Sequence, residues 1–472
     1  MIKINCSEDI RYHVYHIVSL FYKKENISIN KFSLKEDIDV NIHISNKKLC
    51  IDFFGAEYIY GYKGINTLKK ELLLLLENKN KKKIKWGILN GIRPTKTVLT
   101  LMQEGKTKEE IREILTNDYL VEEEKIDILL EVTEKEYNII RDFSLLEDNL
   151  IDIYIGMPFC PTRCLYCSFT SNIYKNNPYK DKYLNLLIRE INIISKFIEE
   201  KSLKIKNVYF GGGTPTSVSD EEFYHVMESI FNKFIKDKSI HEFTVEAGRA
   251  DSINENKLRT MKKFQVDRIS INPQSTNDNT IKFLGRSQSF TETKEVYHTA
   301  RKLGFDNINM DIILGLPGEG KKEAEKTIKE IISLSPESIT MHGLSIKRGS
   351  KMHEKMVLNK KFDISKENEL NSMYNIVVEN LYKNEYIPYY LYKQKNTVGN
   401  IENIGFSKKG FENIYNINMI EELYDVYAIG ASGVTKKIRD SKLERFFNFK
   451  GLDDYTERFD ELMKNKIDFL NH

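Results

Sequence analysis

Three cysteines stand close together in one short, proline-containing segment of this 472-residue chain. The segment GMPFCPTRCLYCSFTSN places Cys160, Cys164 and Cys167 in the spacing C-x3-C-x2-C, whereas the other two cysteines, Cys6 and Cys50, lie far away. Thiolates are the protein ligands of iron–sulfur clusters, and a loop with this spacing can curl around one metal centre. The spacing therefore predicts a metal site with three cysteine ligands.

The number of ligands separates this prediction from two alternatives. A 4Fe–4S cluster ordinarily takes four cysteines, so three would leave one corner open, and open coordination is what a catalytic metal needs. A structural zinc site would require a fourth ligand, yet no histidine or cysteine follows at a usable spacing. A redox pair of Cys164 and Cys167 would leave Cys160 without a role. The pattern favours a three-ligand cluster.

From about residue 150 the chain alternates strand-like and helical segments. A helix is predicted over 180–200, and Ser219 with Glu222 forms a capping box that begins the next helix. Such alternation predicts an α/β fold with parallel strands and right-handed crossovers. Six units are fewer than the eight of a full barrel, so we expect a partial (β/α)6 barrel of the TIM type. The six predicted strands are IDIYIGMP, NVYFGGG, EFTVEAG, DRISINPQ, NINMDIILGLP and SITMHGLSI.

Polar side chains are predicted just past the ends of these strands. In α/β barrels that edge is where active sites are built. Six separate segments therefore deliver chemically useful groups to one rim. These groups are the cysteine loop, the segment GGGTPT, Glu246, Gln274, Asp311 and Ser345.

The pattern divides the chain into three predicted regions. Residues 1–147 form an N-terminal accessory region, a small α/β unit followed by helices. Within it, residues 40–44 and 49–53 alternate as two strands joined by the polar turn SNKK. Residues 148–355 form the barrel, and residues 356–472 form a small mixed C-terminal domain.

Composition limits the classes of partner. The formal net charge of +3 is near balance for this length, and we expect no nucleic-acid partner. The basic run KNKKKKIK stands alone beside a predicted boundary, which favours a solvated linker. No stretch reaches the roughly 18 apolar residues of a membrane span, and the N-terminus lacks a signal-peptide pattern. We therefore expect a cytoplasmic protein whose Cys6 and Cys50 stay reduced.

The cysteine loop after a barrel strand, with Tyr166 just before the last cysteine, resembles the radical S-adenosylmethionine (SAM) superfamily. In such enzymes SAM chelates the unique iron of a 4Fe–4S cluster. One electron from the reduced cluster then gives methionine and a 5′-deoxyadenosyl radical that abstracts hydrogen. Over most of residues 150–435, the motifs YIGMPFCPTRCLYCSF, VYFGGGTPT, FTVEAGR, RISINPQS, NMDIILGLPGE, YYLYKQKN, GNIENIGF and YAIGASG resemble the oxygen-independent coproporphyrinogen III oxidase family, in particular its HemZ branch.

The resemblance implies roles for individual residues. Tyr154 matches a family tyrosine beside the methionine moiety of SAM, and Tyr166 matches an aromatic residue beside the adenine. Carboxylates suit a ribose diol and a sulfonium cation, while an arginine suits the SAM carboxylate. The implied metal ligands are Cys160, Cys164 and Cys167; the implied catalytic residues are Tyr154 and Glu246; and the implied SAM contacts are Tyr154, Tyr166, Gly212, Gly213, Thr214, Glu246, Gln274, Arg286, Asp311 and Ser345.

The resemblance also implies a reaction. The substrate would be coproporphyrinogen III, two of whose four propionates are oxidatively decarboxylated to vinyl groups, giving protoporphyrinogen IX. The enzyme, expected to be a monomer, would receive electrons from flavodoxin or ferredoxin. Anionic propionates call for cations near the barrel mouth. The candidate cations are Arg249, Lys347, Arg348 and Lys393.

Two departures keep alternatives open. Well-known family members carry a further cysteine two residues after the last cluster ligand, where this chain has Phe169, as do relatives that act as haem chaperones. Those chaperones carry a histidine late in the chain, where this chain has Tyr415, a residue type that can also ligate haem iron. The alternatives are a haem carrier that retains its cluster and another radical SAM tetrapyrrole enzyme, such as a haem-degrading methyltransferase.

Overall fold

A computed structural model describes residues 1–30, 37–89, 91, 93–144, 149–169, 171–394, 397–439 and 442–472. The chain divides into two compact units, Met1–Glu134 and Lys135–His472. The predicted boundary between residues 147 and 148, and the last two residues of the YYLYKQKN motif, lie outside the described residues. The division into three regions stays a prediction.

The first unit is built around a five-stranded sheet with the order β2-β1-β3-β4-β5. The predicted alternation is confirmed, because β3 and β4 pair antiparallel and their apolar residues share a core with helices α1 and α2. Asn46 and Lys47 adopt positive φ angles of 48° and 60° in the predicted turn. The elements are β1 (Ile2–Asn5), α1 (Glu8–Val18), β2 (Ile27–Ile29), β3 (Val40–Ser45), β4 (Lys48–Phe53), β5 (Ala56–Gly61), α2 (Ile65–Asn80), α3 (Thr95–Gln103) and α4 (Lys108–Asn117), and α5 (Glu123–Ser144) crosses into the second unit.

The second unit contains an 11-stranded sheet with the order β14-β15-β13-β12-β11-β10-β9-β6-β16-β17-β18. The six predicted strands are β6 and β9 to β13, and they run parallel to one another. Within the described residues this sheet has two free edges, so the prediction of a partial barrel is confirmed. The strands are β6 (Leu150–Met157), β7 (Phe159–Cys160), β8 (Asn172–Ile173), β9 (Lys204–Gly212), β10 (Glu242–Gly248), β11 (Arg268–Ile271), β12 (Ile308–Leu314), β13 (Ser338–Gly343), β14 (Ile387–Tyr392), β15 (Asn403–Ser407), β16 (Asp425–Ile429), β17 (Val434–Arg439) and β18 (Lys442–Phe447).

Helices connect the parallel strands as the periodicity predicts. Helix α6 has the predicted bounds, and the capping box of Ser219 and Glu222 begins α7. Among the helices of the described residues, none combines the length and apolar character needed to cross a bilayer. The remaining helices are α6 (Lys180–Glu200), α7 (Asp220–Ile230), α8 (Glu255–Lys263), α9 (Asp278–Phe283), α10 (Phe290–Lys302), α11 (Lys321–Leu334), α12 (Lys351–Val357), α13 (Glu367–Lys383), α14 (Ile414–Glu421), α15 (Leu452–Glu457) and α16 (Phe459–Asn471).

The residues after 355 extend the same sheet on both sides. Strand β15 pairs antiparallel with β13, and β16 pairs parallel with β6. A buried ion pair fixes the C-terminal helix α16 to α6, since Lys466 Nζ lies 2.7 Å from Glu190 Oε1 and both side chains are fully buried. Tyr455 Oη and the amide of Gly430 also donate to Glu190. This network holds the loop after β16 beside the end of β6, where the cysteine loop begins.

Candidate functional site

The cysteine loop leaves the carboxyl end of β6, and its three thiols are partly or fully buried. Thr214 Oγ1 lies 3.5 Å from Cys160 Sγ, and Arg249 Nη1 lies 3.9 Å from Cys164 Sγ. Burial raises the pKa of Cys160 to about 11 and also raises the pKa of Cys167. Burial thus disfavours the thiolates, whereas a coordinated metal deprotonates a thiol outright. The loop suits metal binding better than it suits a free nucleophile.

Arg249 holds the cysteine loop through hydrogen bonds to Thr162. Its Nη1 donates to Thr162 O at 2.9 Å, and its Nε and Nη2 donate to the Asp251 carboxylate at 2.9 and 2.5 Å. Although burial opposes the effect, this guanidinium lowers the pKa of Asp251. The sequence offers Arg249 as a cation for propionates, but its nitrogens are committed within the protein and its side chain is buried. That expectation is therefore corrected to a positioning role.

Three glycines pass between the cysteine loop and Glu246. A Cβ on Gly213 would lie 2.5 Å from Phe159 O and 3.1 Å from Cys160 Sγ, and one on Gly211 would lie 2.9 Å from the Glu246 carboxylate. Gly212 adopts a φ of 107°, which residues with a Cβ rarely reach. Any side chain here would fill the space between the thiols and the carboxylate.

Two carboxyl groups, those of Glu246 and Asp311, lie on strands β10 and β12 of the parallel sheet, which are separated by β11. The Tyr209 hydroxyl donates to Glu246 Oε1, and Asn309 Nδ2 donates to Asp311 Oδ1 at 2.8 Å. Burial, with a contribution from the charge of Asp311, raises the pKa of Glu246 to about 7. Both carboxyls lie within β10 and β12 rather than past the strand ends, which corrects the position expected from the sequence. A cationic ligand would relieve their mutual repulsion.

Arg286 joins the cysteine loop to the segment after β11. Its Nη2 donates to Tyr166 Oη at 3.0 Å, and its Nη1 donates to Asn272 O at 2.7 Å. Its Nε is buried and has no acceptor among the described residues. An unsatisfied buried donor is costly, so the site calls for an anionic or polar ligand at this position.

The structure brings most of the predicted site residues to one rim. The Tyr154 hydroxyl lies 3.3 Å from where a Cβ of Gly212 would be. Gln274 is buried with a φ of 69°, and its backbone N–H donates to the backbone carbonyl of Asp311 at 2.9 Å. Ser345 lies one strand further along, where it forms an isolated β-bridge with Thr397.

Sequence reasoning missed two residues of this interior. The Tyr209 ring stacks on Tyr415 with ring centroids 4.4 Å apart, and the ring centroids of Tyr209 and Tyr154 lie 6.3 Å apart. His342 Nε2 lies 3.8 Å from Asp311 Oδ2. Tyr209 stands two positions before Gly211 in a strand, so it points to the same face, which period-two alternation could have revealed. His342 gave no comparable signal because its partner lies on another strand.

The donor set fits a cluster with a zwitterionic ligand beside it. Among the described residues, no three His, Cys, Asp or Glu side chains converge as a single metal ion requires. A 4Fe–4S cluster instead presents a different iron to each thiolate, so thiols spread around a loop fit it better than they fit zinc. The glycines leave room beside them, and Arg286 and the two carboxyls offer partners for groups of opposite charge.

Comparisons with known proteins agree with this site. Residues 154–331 match the family model described as the Radical SAM superfamily. The chain is 42% identical over 409 residues to the oxygen-independent coproporphyrinogen-III oxidase-like protein HemZ of Bacillus subtilis, covering 86% of this chain and 81% of that protein. It is 31% identical over 283 residues to the heme chaperone HemW of the same organism, covering 59% and 70%. The coproporphyrinogen III oxidase HemN of Escherichia coli has the same fold, with a TM-score of 0.53 and 17% identity over 69% of this chain and 72% of that one.

Proposed function

Since this chain belongs to the radical SAM superfamily, and within it to the HemZ branch of the oxygen-independent coproporphyrinogen III oxidase family, we propose that it is an enzyme acting on coproporphyrinogen III. The superfamily uses a 4Fe–4S cluster and SAM, so the predicted cofactors are confirmed. In the proposed reaction each of two propionates would lose one hydrogen atom to the radical derived from SAM, then CO2, and then one electron to a one-electron acceptor, which would leave a vinyl group. The length of the match to HemZ supports this substrate over an unrelated one.

In this proposal the cluster is held by Cys160, Cys164 and Cys167. Thr214 contacts the Cys160 thiol and Arg249 contacts the Cys164 thiol, so both side chains help to hold the loop in place. Because the three cysteines leave one iron without a protein ligand, that iron is available to SAM. When bound, the reduced cluster and SAM together supply the radical chemistry that removes a hydrogen atom from the substrate.

The residues around the glycines orient SAM. The free Nε–H of Arg286 suits its carboxylate, since a charge-assisted bond there would satisfy a buried donor. Glu246 and Asp311 suit its cationic centre and its ribose hydroxyls. The remaining proposed contacts are Tyr154, Tyr166, Gly212, Gly213, Thr214, Gln274 and Ser345.

One observation carries the proposal. Arg286 touches Tyr166 in the cysteine loop, and the glycine segment touches both Cys160 and Glu246. A candidate soft-metal site, an unsatisfied guanidinium donor and a pair of carboxyls therefore lie around the cysteine loop and the glycine segment. A purely structural metal site would require only metal ligands, and would not explain the nearby guanidinium and carboxyl groups.

Three cations near this rim are proposed to receive propionates. Lys347 is half-buried, and burial lowers its pKa although the nearby Cys167 opposes the shift. An adjacent carboxylate would stabilise its charged form, so propionate binding would offset that burial. Arg348 is exposed at the same place, whereas Lys393 is buried and is proposed with less direct access.

The test is an anaerobic incubation of the reconstituted protein with coproporphyrinogen III, SAM and dithionite, followed by mass spectrometry. Two successive losses of CO2 plus two hydrogens are the expected result, and they should vanish when SAM is omitted. An unchanged porphyrinogen, under conditions where SAM is cleaved, would contradict the proposal. A gain of methyl groups would instead identify a methyltransferase.

A haem carrier is the second candidate, because the HemW similarity and Phe169 both favour it. Its candidate iron ligand is Tyr415, which is 4% exposed and whose ring stacks on Tyr209. A haem titration followed by absorbance separates the candidates. Stoichiometric haem binding that is lost in Tyr415→Phe would favour the carrier, whereas weak binding that this substitution leaves unchanged would favour the enzyme.

A further inference from the structure

A strongly basic surface lies beside the cysteine loop, and we call it the α12 surface. It consists of residues 347–362 together with Phe169 and Phe283. Residues 347–361 carry six lysines or arginines and one acidic residue, Glu354, a local charge of 6 − 1 = +5. The whole chain has a net charge of +3, so this segment exceeds the charge of the entire protein. The basic residues are Lys347, Arg348, Lys351, Lys355, Lys360 and Lys361.

The α12 surface is attached directly to the cysteine loop. The amide of Met352 donates to Leu165 O at 2.8 Å, and the Arg163 side chain donates to Gly349 O. The position of a Cβ on Gly349 lies 3.5 Å from Ser168 O, one residue after the last cysteine. A molecule bound on this surface would therefore lie within a few residues of the cluster ligands.

Large apolar side chains are exposed among these charges. Val357, Leu358 and Phe169 are 67%, 69% and 67% exposed. Phe283 is also exposed, and its ring meets Phe362 edge-on at 6.2 Å. Val357 and Leu358 are consecutive in the chain, and contiguous exposed apolar groups rimmed by charges are typical of interaction sites.

We propose that the α12 surface docks an acidic protein electron carrier of the flavodoxin type. This inference rests on the proposed function, in which the neighbouring cysteines hold the cluster. The carrier loses one electron, the cluster gains it, and no atoms are exchanged. Opposite charge would steer the carrier to the surface, and the apolar side chains would hold it in a short-lived complex.

Charge and length favour a protein over a lipid partner. Helix α12 has seven residues, which is short for a helix that lies in a membrane interface. Glu354 and Asp363 also lie within or beside the basic stretch. Binding of this surface to anionic vesicles would therefore oppose the proposal.

The test reverses three exposed charges in the triple variant K351E/K360E/K361E. Binding of oxidised flavodoxin is measured by calorimetry, and cluster reduction by flavodoxin hydroquinone is compared with reduction by dithionite. We expect flavodoxin to bind roughly tenfold more weakly and to reduce the cluster correspondingly more slowly, with the dithionite rate unchanged. The matched control K196E/K236E/K302E makes the same change in charge at exposed lysines that precede the amino ends of β9, β10 and β12. The cysteine loop follows the carboxyl end of β6, so this control should keep wild-type flavodoxin binding.

A second variant, V357S/L358S, separates the apolar contribution. It should weaken flavodoxin binding while leaving the salt dependence of binding unchanged. Equal losses in the charge variant and its control, or no loss in either surface variant, would overturn the proposal. So would sedimentation with phosphatidylglycerol vesicles that depends on the three lysines while flavodoxin binding does not. Because docking is measured apart from decarboxylation, absence of porphyrinogen product would count against the proposed reaction alone.

Discussion

Replacing Gly213 with alanine should prevent normal assembly of the cluster site. The new Cβ would lie 2.5 Å from Phe159 O, 3.0 Å from Met157 O and 3.1 Å from Cys160 Sγ. Two of these atoms belong to backbone, so relief requires the cysteine loop to move by roughly 0.5–1 Å. Overpacking of this kind costs about 1–3 kcal/mol. We expect the cysteine loop to shift rather than the strands, so the substitution should mainly change the positions of the thiols.

The assay measures iron and sulfide content after anaerobic reconstitution, together with SAM binding and the free energy of unfolding. We expect much less than one cluster per chain and weak SAM binding, with only a modest loss of folding stability. The control is Gly61→Ala, since Gly61 has an ordinary φ and nothing within 4 Å of its Cβ position. If Gly213→Ala retained a full cluster and wild-type SAM affinity, the cluster site would not depend on the absence of a side chain at this glycine.

Three further predictions concern the thiols, a carboxyl and a buried ion pair. Cys164→Ala should abolish iron–sulfur absorbance and SAM cleavage, whereas Cys50→Ala should leave both unchanged; normal turnover by the first variant would refute the ligand assignment. Because the pKa of Glu246 is raised to about 7 and a cationic ligand needs the ionised form, SAM affinity should rise by up to tenfold per unit as pH increases towards about 7. Glu246→Gln should flatten this profile in calorimetric titrations, and an unchanged profile would contradict the assignment. Lys466→Met should lower the free energy of unfolding, measured by denaturant titration, by about 3–5 kcal/mol, because it leaves the buried Glu190 carboxylate without its counter-ion. The double variant with Glu190→Gln should recover part of this loss. An unchanged free energy of unfolding in Lys466→Met would show that the ion pair contributes nothing to stability.

Local signals were enough to locate the elements of the barrel. The bounds of α6 followed from apolar spacing along one helical face, and the start of α7 followed from its capping box. The strand β10 has the bounds of the segment EFTVEAG. Such features depend on residues close in sequence, so periodicity reveals them.

The positions of Glu246 and Asp311 show where local reading ends. Both were expected past the strand ends, yet both lie inside their strands, because the sheet register and not the apolar run decides which residues face the interior. The parallel pairing of β16 with β6 was likewise unpredicted. Its sequence resembles any short buried strand, and its partner lies more than 250 residues earlier.

The order of residue types along the chain determined the three-cysteine loop, the alternation of strands and helices, and the family. Tertiary structure alone decided that Arg249 contacts the cysteine loop, and that Tyr209 and His342 lie beside Glu246 and Asp311. It also placed the α12 surface, with its lysines and exposed apolar side chains, next to the cysteine loop. Thiol spacing and apolar period are properties of neighbouring residues, whereas these contacts arise when distant strands are brought together by burial of their shared core.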